Sequence, residues 1–108
     1  MIERRGKKRG ERIKEPEHLI TEYKEGMTVS MSQAIVYRIT KLCEEKEMSI
    51  YRLAKDSGIN QSALNEIMQG RSKDPRIKTI GKIAKGFNMN LSSFFHDSIF
   101  KHIDYDID

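Results

Sequence analysis

The chain has 108 residues, a length that fits one small domain and leaves no room for separate catalytic and ligand-sensing units within it. Hydrophobic residues make up 37% and charged residues 33% of it, and no apolar run approaches the roughly 20 residues that a membrane-spanning helix needs. One cysteine, Cys43, excludes an internal disulfide and a Cys-rich zinc site, while 20 basic against 16 acidic residues, a net charge of +4, favour a polyanionic partner.

Residues 1–14 carry Arg4, Arg5, Lys7, Lys8, Arg9, Arg12 and Lys14 against Glu3 and Glu11, a local excess of positive charge. They lack the apolar stretch of a secretory signal, so a cytoplasmic protein is expected. Apolar residues stay sparse and irregular up to residue 26, and residues 1–29 are expected to form a basic, flexible arm. From residue 30 the pattern becomes helical. Ser30 and Gln33 frame a capping box, and Ile35, Ile39 and Leu42 give a first helix ending near Lys46. Ser49 caps a short second helix with Leu53 and Ala54 inward, stopped by a left-handed Gly58. Asn60 caps a third, Gln61 to Gln69, with Leu64 and Ile67 inward and Gly70 ending it. Asp74-Pro75 reads as an N-cap and first helical residue of a fourth helix, with Ile77, Ile80, Ile83, Ala84 and Phe87 on one stripe. Gly81 costs that helix about 1 kcal/mol relative to alanine. Asn88 supplies the left-handed turn that ends it, and Asn90 caps a fifth helix with Leu91, Phe94 and Phe95 inward. No period-two run is long enough for a sheet, so the class is all-α, a domain over residues 30–100. Residues 101–108 form an acidic tail, with Asp104, Asp106 and Asp108 alternating with apolar residues. It reads either as a frayed chain end or as a dimer device that buries Ile99, Phe100, Ile103 and Tyr105 against a second subunit.

The informative unit is residues 49–70. Two helices joined by so short a turn must cross steeply, which requires a small residue at the contact and a left-handed residue in the turn. Ala54 and Gly58 meet those demands. Ile59, Leu64 and Ile67 then wedge the third helix onto the second, leaving Gln61, Ser62, Asn65, Glu66 and Gln69 facing away. Together with the trailing Pro75-x-Ile77-x-x-Ile80-x-x-Ile83-Ala84 and Leu91-x-x-Phe94-Phe95, this unit resembles the helix-turn-helix regulators of the lambda-repressor and Cro type, the XRE family, over residues 32–97.

That resemblance implies a five-helix lambda-repressor-like fold that binds a double-stranded DNA operator, usually as a homodimer, with the third helix in the major groove. Carried onto this sequence, it makes Gln61, Ser62, Asn65 and Glu66 the base-reading residues. Glutamine and asparagine bond adenine edges in two-pronged fashion, serine is permissive, and glutamate, repelled by phosphates, needs either cytosine N4 or an arginine such as Arg71 as its partner. Phosphate binding falls to Ser49, Asn60, Arg71, Ser72, Lys73 and Arg76. Two places depart from the family. Ile50 stands where many members carry a polar residue near a phosphate. Cys43 and Met68 stand where some members pair arginine with glutamate, so packing is expected to join helices one and three here.

Each of these residues also has a plainer reading as solvated surface, and Cys43 as a small core residue. The basic arm has three readings: a minor-groove contact, a non-specific tether, or a segment absent from the native protein, whose start would be Met27 or Met31. His18, His96 and His102 lie in different segments without ligand spacing, so no metal is expected. No phosphate loop, nucleophile elbow or paired carboxylates suggest catalysis, and neither an enzyme nor a cofactor is expected. The reading is a repressor or phage-like control protein without a small-molecule effector domain and without a membrane partner. A rival from another class is a protein-interaction module, an antitoxin-like or adaptor subunit, which would want large apolar residues on the outer face of helix three. An RNA binder would want exposed aromatics, for which Tyr37 and Tyr51 are the domain's candidates.

Overall fold

The computed structural model describes Ile20 and residues 22–107; the basic cluster of residues 4–14, His18 and Asp108 lie outside the described residues. Five α-helices follow in order: α1 (Met31–Lys46), α2 (Ile50–Ser57), α3 (Gln61–Met68), α4 (Ile77–Gly86) and α5 (Leu91–Phe94), then a 3-10 turn over Ser98–Lys101.

Four starts follow the side-chain chemistry of the sequence. Ser30 Oγ accepts from the Gln33 N–H at 3.0 Å while Gln33 Oε1 accepts from the Ser30 N–H at 3.0 Å, closing the capping box of α1. Ser49, Asn60 and Asn90 cap α2, α3 and α5 in the same way, each accepting from the N–H three residues on. The start of α4 differs. Its N-cap is Arg76, held at φ −64 and ψ 147 with no side-chain cap bond, and Ile77 is the first helical residue. Proline fixes its own φ but not its ψ, so Pro75 does not compel the helix to begin there. Ile77 thereby leaves the inward stripe and is 65% exposed, while Leu91, first residue of the single-turn α5, is 37% exposed. Phe95 is half-buried.

The ends of α1 to α4 share one device. Glu47, Gly58, Gly70 and Asn88 take positive φ of 53, 73, 80 and 64°. In each case the next residue donates its N–H to the carbonyl five residues back: Met48 to Cys43, Ile59 to Ala54, Arg71 to Glu66 and Met89 to Ala84.

The core gathers Ile35, Ile39 and Leu42 of α1, Leu53 and Ala54 of α2, Leu64 and Ile67 of α3, and Ile80, Ile83 and Ala84 of α4, closed by Phe87 and Phe94. Full burial stabilises by about 1.5–3 kcal/mol for each large side chain. Helices α2 and α4 meet at Gly86, where a Cβ would overlap Ser57 Oγ and stand 3.1 Å from Ser57 N and 3.2 Å from Leu53 Cδ1. Arg38 is buried on α1 and spans to the end of α5. Its Nε donates to Phe94 O at 2.7 Å, Nη2 to Ser93 O at 2.9 Å, and Nη1 meets Asp97 Oδ2 at 3.5 Å. It satisfies the Phe94 carbonyl, which the end of a one-turn helix leaves exposed, and adds a second donor to the Ser93 carbonyl, which also accepts from the His96 N–H at 3.2 Å.

A second, smaller cluster lies beside α1. Val29, Ala34 and Ile99 are buried there, with Ile20, Tyr23, Tyr37, Phe100 and Ile103 packed against them. Val29 and Ile103 form a single parallel bridge, the Val29 N–H donating to His102 O at 3.2 Å and the Asp104 N–H to Val29 O at 2.9 Å. Tyr23 Oη donates to Ser98 O at 3.2 Å. The sequence reading put Val29 in a flexible arm and Ile99 either at a dimer contact or near a frayed end. Both are instead buried in their own chain, Val29 at 2% and Ile99 at 0% exposure. The reason is reciprocal: neither segment carries enough apolar residues to bury a face alone, and each supplies the other's missing cover.

Candidate nucleic-acid interface

Gly58 builds the bend between α2 and α3. Its left-handed backbone returns the chain so that the Gly58 N–H donates to Lys55 O at 3.3 Å and the Ile59 N–H to Ala54 O at 3.2 Å. Ile59 turns into the core, and three residues after α2 ends, α3 begins. Leu64 (0% exposed) and Ile67 (3%) anchor α3. Gln61, Ser62, Ala63, Asn65 and Glu66 are exposed. Gln61 and Asn65, four residues apart, share a face, as do Ser62 and Glu66.

The caps also prepare the flanks of this face. Asn60 Oδ1 accepts from the Ala63 N–H at 3.2 Å and from the Ser62 hydroxyl at 2.9 Å, which leaves the Asn60 amide N–H groups as donors. Ser49 Oγ accepts from the Arg52 N–H at 3.0 Å, and its own hydroxyl proton can donate outward. The first turns of α2 and α3 hold no acidic side chain, so both N-termini keep their positive dipole ends. On α2, Arg52 Nε pairs with Asp56 Oδ2 at 2.9 Å.

Beyond α3, Arg71, Lys73 and Arg76 are exposed and Ser72 is half-buried. A groove of about 550 Å³ between α3 and the start of α4 brings Ser72 and Arg76 beside Ala63 and Glu66. Lys73 does not line it. Glu66 takes the arginine partner rather than standing free for cytosine: Arg71 Nε meets Oε1 at 2.9 Å and Nη2 meets Oε2 at 3.0 Å. The hydrogen bond from Arg71 holds the Glu66 carboxyl below its usual range.

The two departures from the family take the expected apolar form. Ile50 is half-buried against the core. Cys43 is buried, with Met68 packed against the same cluster, and burial, then the neighbouring Glu44, pushes the thiol up to about 11. One exposed residue of α3 carries no polar signal in the sequence. Ala63 sits at the edge of the outer face and lines the groove beside Ile67, hidden from a search for polar outward residues, and alanine suits contact with a thymine methyl. Tyr51, which the sequence offered as a candidate exposed aromatic, is 63% exposed in the first turn of α2, and a tyrosine hydroxyl can donate to phosphate. Among the described residues no helix is long and apolar enough to cross a membrane, and no three His, Cys, Asp or Glu side chains gather as a metal site.

Comparison with known proteins matches residues 38–96 to the Cro/C1-type HTH (helix-turn-helix) DNA-binding domain. The chain is similar to the uncharacterized protein MJ0333 of Methanocaldococcus jannaschii, 28% identical over 67 residues that cover 62% of this chain and 68% of that protein. Among solved structures it is similar to prophage Lp1 protein 11, with a TM-score of 0.56 and 30% identity over 61% of this chain and 87% of that one. It is also similar to the wild-type restriction-modification controller protein C.Esp1396I, with a TM-score of 0.57 and 25% identity over 67% of this chain and 90% of the other. The family match takes in the α2–α3 bend, the outer face of α3 and the helices that brace them, and it spans more than half of the sequence: the chain belongs to the Cro/C1-type helix-turn-helix DNA-binding domain family.

Proposed function

We propose that the chain is a sequence-specific regulator of transcription, a repressor or phage-like control protein that acts in the cytoplasm by occupying a double-stranded DNA operator. The observation that carries this reading is α3: two buried side chains hold it, Asn60 caps it, and Gln61, Ser62 and Asn65 stand exposed on its outer side. In the major groove Gln61 and Asn65 read adenine edges, each good pair contributing about 1–3 kcal/mol of discrimination. Ser49, Asn60, Ser72, Lys73 and Arg76 bind phosphates and fix register. The likeness to a restriction-modification controller protein supports a regulatory role. Large exposed apolar side chains occur at Tyr51, Ile77, Leu91, Tyr105 and Ile107, none of them on α3, which favours nucleic acid over a protein groove as the occupant of that face.

One such domain touches few base pairs, so the active form is proposed to be a homodimer on half-sites about 34 Å apart. Ile77 and Leu91 supply its contact, because Leu91 lies against Gly81, one turn along α4 from Ile77. Ile77→Ser is expected to shift sedimentation toward the monomer; an unchanged profile would move the contact elsewhere.

The operator is found by selecting bound sequences from a random duplex pool. Gln61→Ala should then lose preference at one base pair, whereas Lys73→Ala should weaken all sequences alike. A Gln61→Ala protein with undiminished affinity and the same preference would remove α3 as the reading helix.

A further inference from the structure

We infer that Glu66 is a positioning residue that holds Arg71 away from the phosphates, so that the C-terminal end of α3 meets the duplex as a closed, neutral pair. The inference rests on the reading of α3 as the base-reading helix.

It comes from comparing four helix ends of one design. At each, the residue after the left-handed position bonds back to the carbonyl five residues earlier, which sets the two side chains beside each other, usually as an apolar contact. Three ends follow that rule, with Met48 beside Cys43, Ile59 beside Ala54 and Met89 beside Ala84. Only α3 breaks it. There the Arg71 N–H donates to Glu66 O at 2.9 Å, and the side chains close a two-pronged ion pair at 2.9 and 3.0 Å. The Ser72 N–H adds a second bond to Glu66 O at 3.0 Å, tying the loop to the same residue. The side chains are 61% and 48% exposed, and a pair so open contributes little to stability. The backbone has already brought the partners together, so closing the pair sacrifices little further freedom, and both carboxylate oxygens are engaged.

On a DNA-facing surface the consequence is selectivity. A free arginine at this point would bind any phosphate and raise affinity for every sequence equally, and a free carboxylate would repel every sequence equally. The closed pair does neither, leaving Gln61, Ser62 and Asn65 to decide.

The test is the salt dependence of binding, by fluorescence anisotropy, to the selected operator and to a random duplex. It compares the wild type, Glu66→Gln, Arg71→Gln and the double variant. Glu66→Gln should release Arg71, steepening the log–log slope by about 0.9 and raising affinity for both duplexes about fivefold near physiological salt. Arg71→Gln should do the reverse, and the double variant should return to the wild-type slope and affinity. If Glu66→Gln leaves the slope unchanged while Arg71→Gln and the double variant both flatten it, Arg71 already binds phosphate and the inference is overturned. If Glu66→Gln weakens only the operator and erases preference at one base pair, Glu66 reads a base and the inference is likewise overturned. A wild type that binds no duplex at low salt would sink the reading of α3 itself, a result distinct from both.

Discussion

The same substitution at two glycines of α4 should have opposite signs. Gly81 and Gly86 both lie within Ile77–Gly86, and replacing a helical glycine by alanine ordinarily gains about 0.5–1 kcal/mol by restricting the unfolded chain. At Gly81 the added methyl would meet only the Leu91 side chain, at 3.9 Å, an ordinary van der Waals contact. Gly81→Ala should therefore realise most of that gain. At Gly86 the methyl would overlap Ser57 Oγ and press on Ser57 N at 3.1 Å and Leu53 Cδ1 at 3.2 Å. A hydroxyl can rotate, but a backbone nitrogen inside a packed helix moves only if α2 moves. Overpacking of this kind costs about 1–3 kcal/mol, which outweighs the propensity gain and leaves Gly86→Ala less stable by about 1–2 kcal/mol. The two variants should thus differ by about 2–3 kcal/mol, readable as roughly 10 °C or more between their thermal midpoints for a domain of this size. Urea unfolding of both, beside the wild type, checks the free energies directly. If Gly86→Ala proves as stable as Gly81→Ala, the close packing of α2 on α4 is not what fixes glycine at 86.

Ser57 Oγ is buried without a hydrogen-bond partner among the described residues, so Ser57→Ala should be neutral or stabilising by up to about 1 kcal/mol in urea titration; a measurable loss would reveal a bond the hydroxyl makes. Arg38→Met should cost about 3–5 kcal/mol, because it strands the Phe94 carbonyl, removes one of the donors to Ser93 O and leaves Asp97 without its cation. A loss below about 1 kcal/mol, measured by circular dichroism melting, would mean that water replaces the guanidinium at no expense. Glu47 holds φ 53 at the end of α1, a conformation that glycine adopts without steric penalty, so Glu47→Gly should raise the melting midpoint by a few degrees. An unchanged or lowered midpoint would indicate that the glycine's extra unfolded-state entropy offsets the relief.

The helix ends explain what was legible in advance. Gly58, Gly70 and Asn88 announce left-handed turns because few other residues tolerate them, and all three fall where the sequence expects. Glu47 carries no such mark. Its conformation is set by Met48, whose N–H reaches the Cys43 carbonyl at 2.9 Å as the side chain packs on the core, and tertiary packing overrides local preference there. Serine and asparagine caps were readable for the same chemical reason, whereas Arg76 could not be, because it caps α4 with no side-chain bond at all. The second cluster was invisible to periodicity. Val29 and Ile103 lie more than 70 residues apart, each in a segment too poor in apolar residues to suggest burial, and only the fold brings them into one bridge. At the interface, exposure of Gln61, Ser62 and Asn65 followed from the spacing of Leu64 and Ile67. The union of Glu66 with Arg71 stood in the sequence only as an alternative to a cytosine contact, since it depends on Gly70 turning the chain back by one full loop of backbone.

This division of labour bears on how such a surface changes. α3 is held by Leu64, Ile67, its Asn60 cap and the Gly70 turn, none of which belongs to its outer polar face. Substitutions at Gln61, Ser62 or Asn65 therefore touch no buried contact, and exposed positions of that kind alter stability by no more than about 0.5 kcal/mol. On the proposed reading of α3, the same positions would command about 1–3 kcal/mol of discrimination for each base pair they contact. Because the second quantity exceeds the first, sequence preference at this face can be rewritten while the fold beneath it stays put. The exception is Ser62, whose hydroxyl also bonds the capping Asn60, so its replacement by a larger side chain would disturb the start of α3 along with what that helix reads.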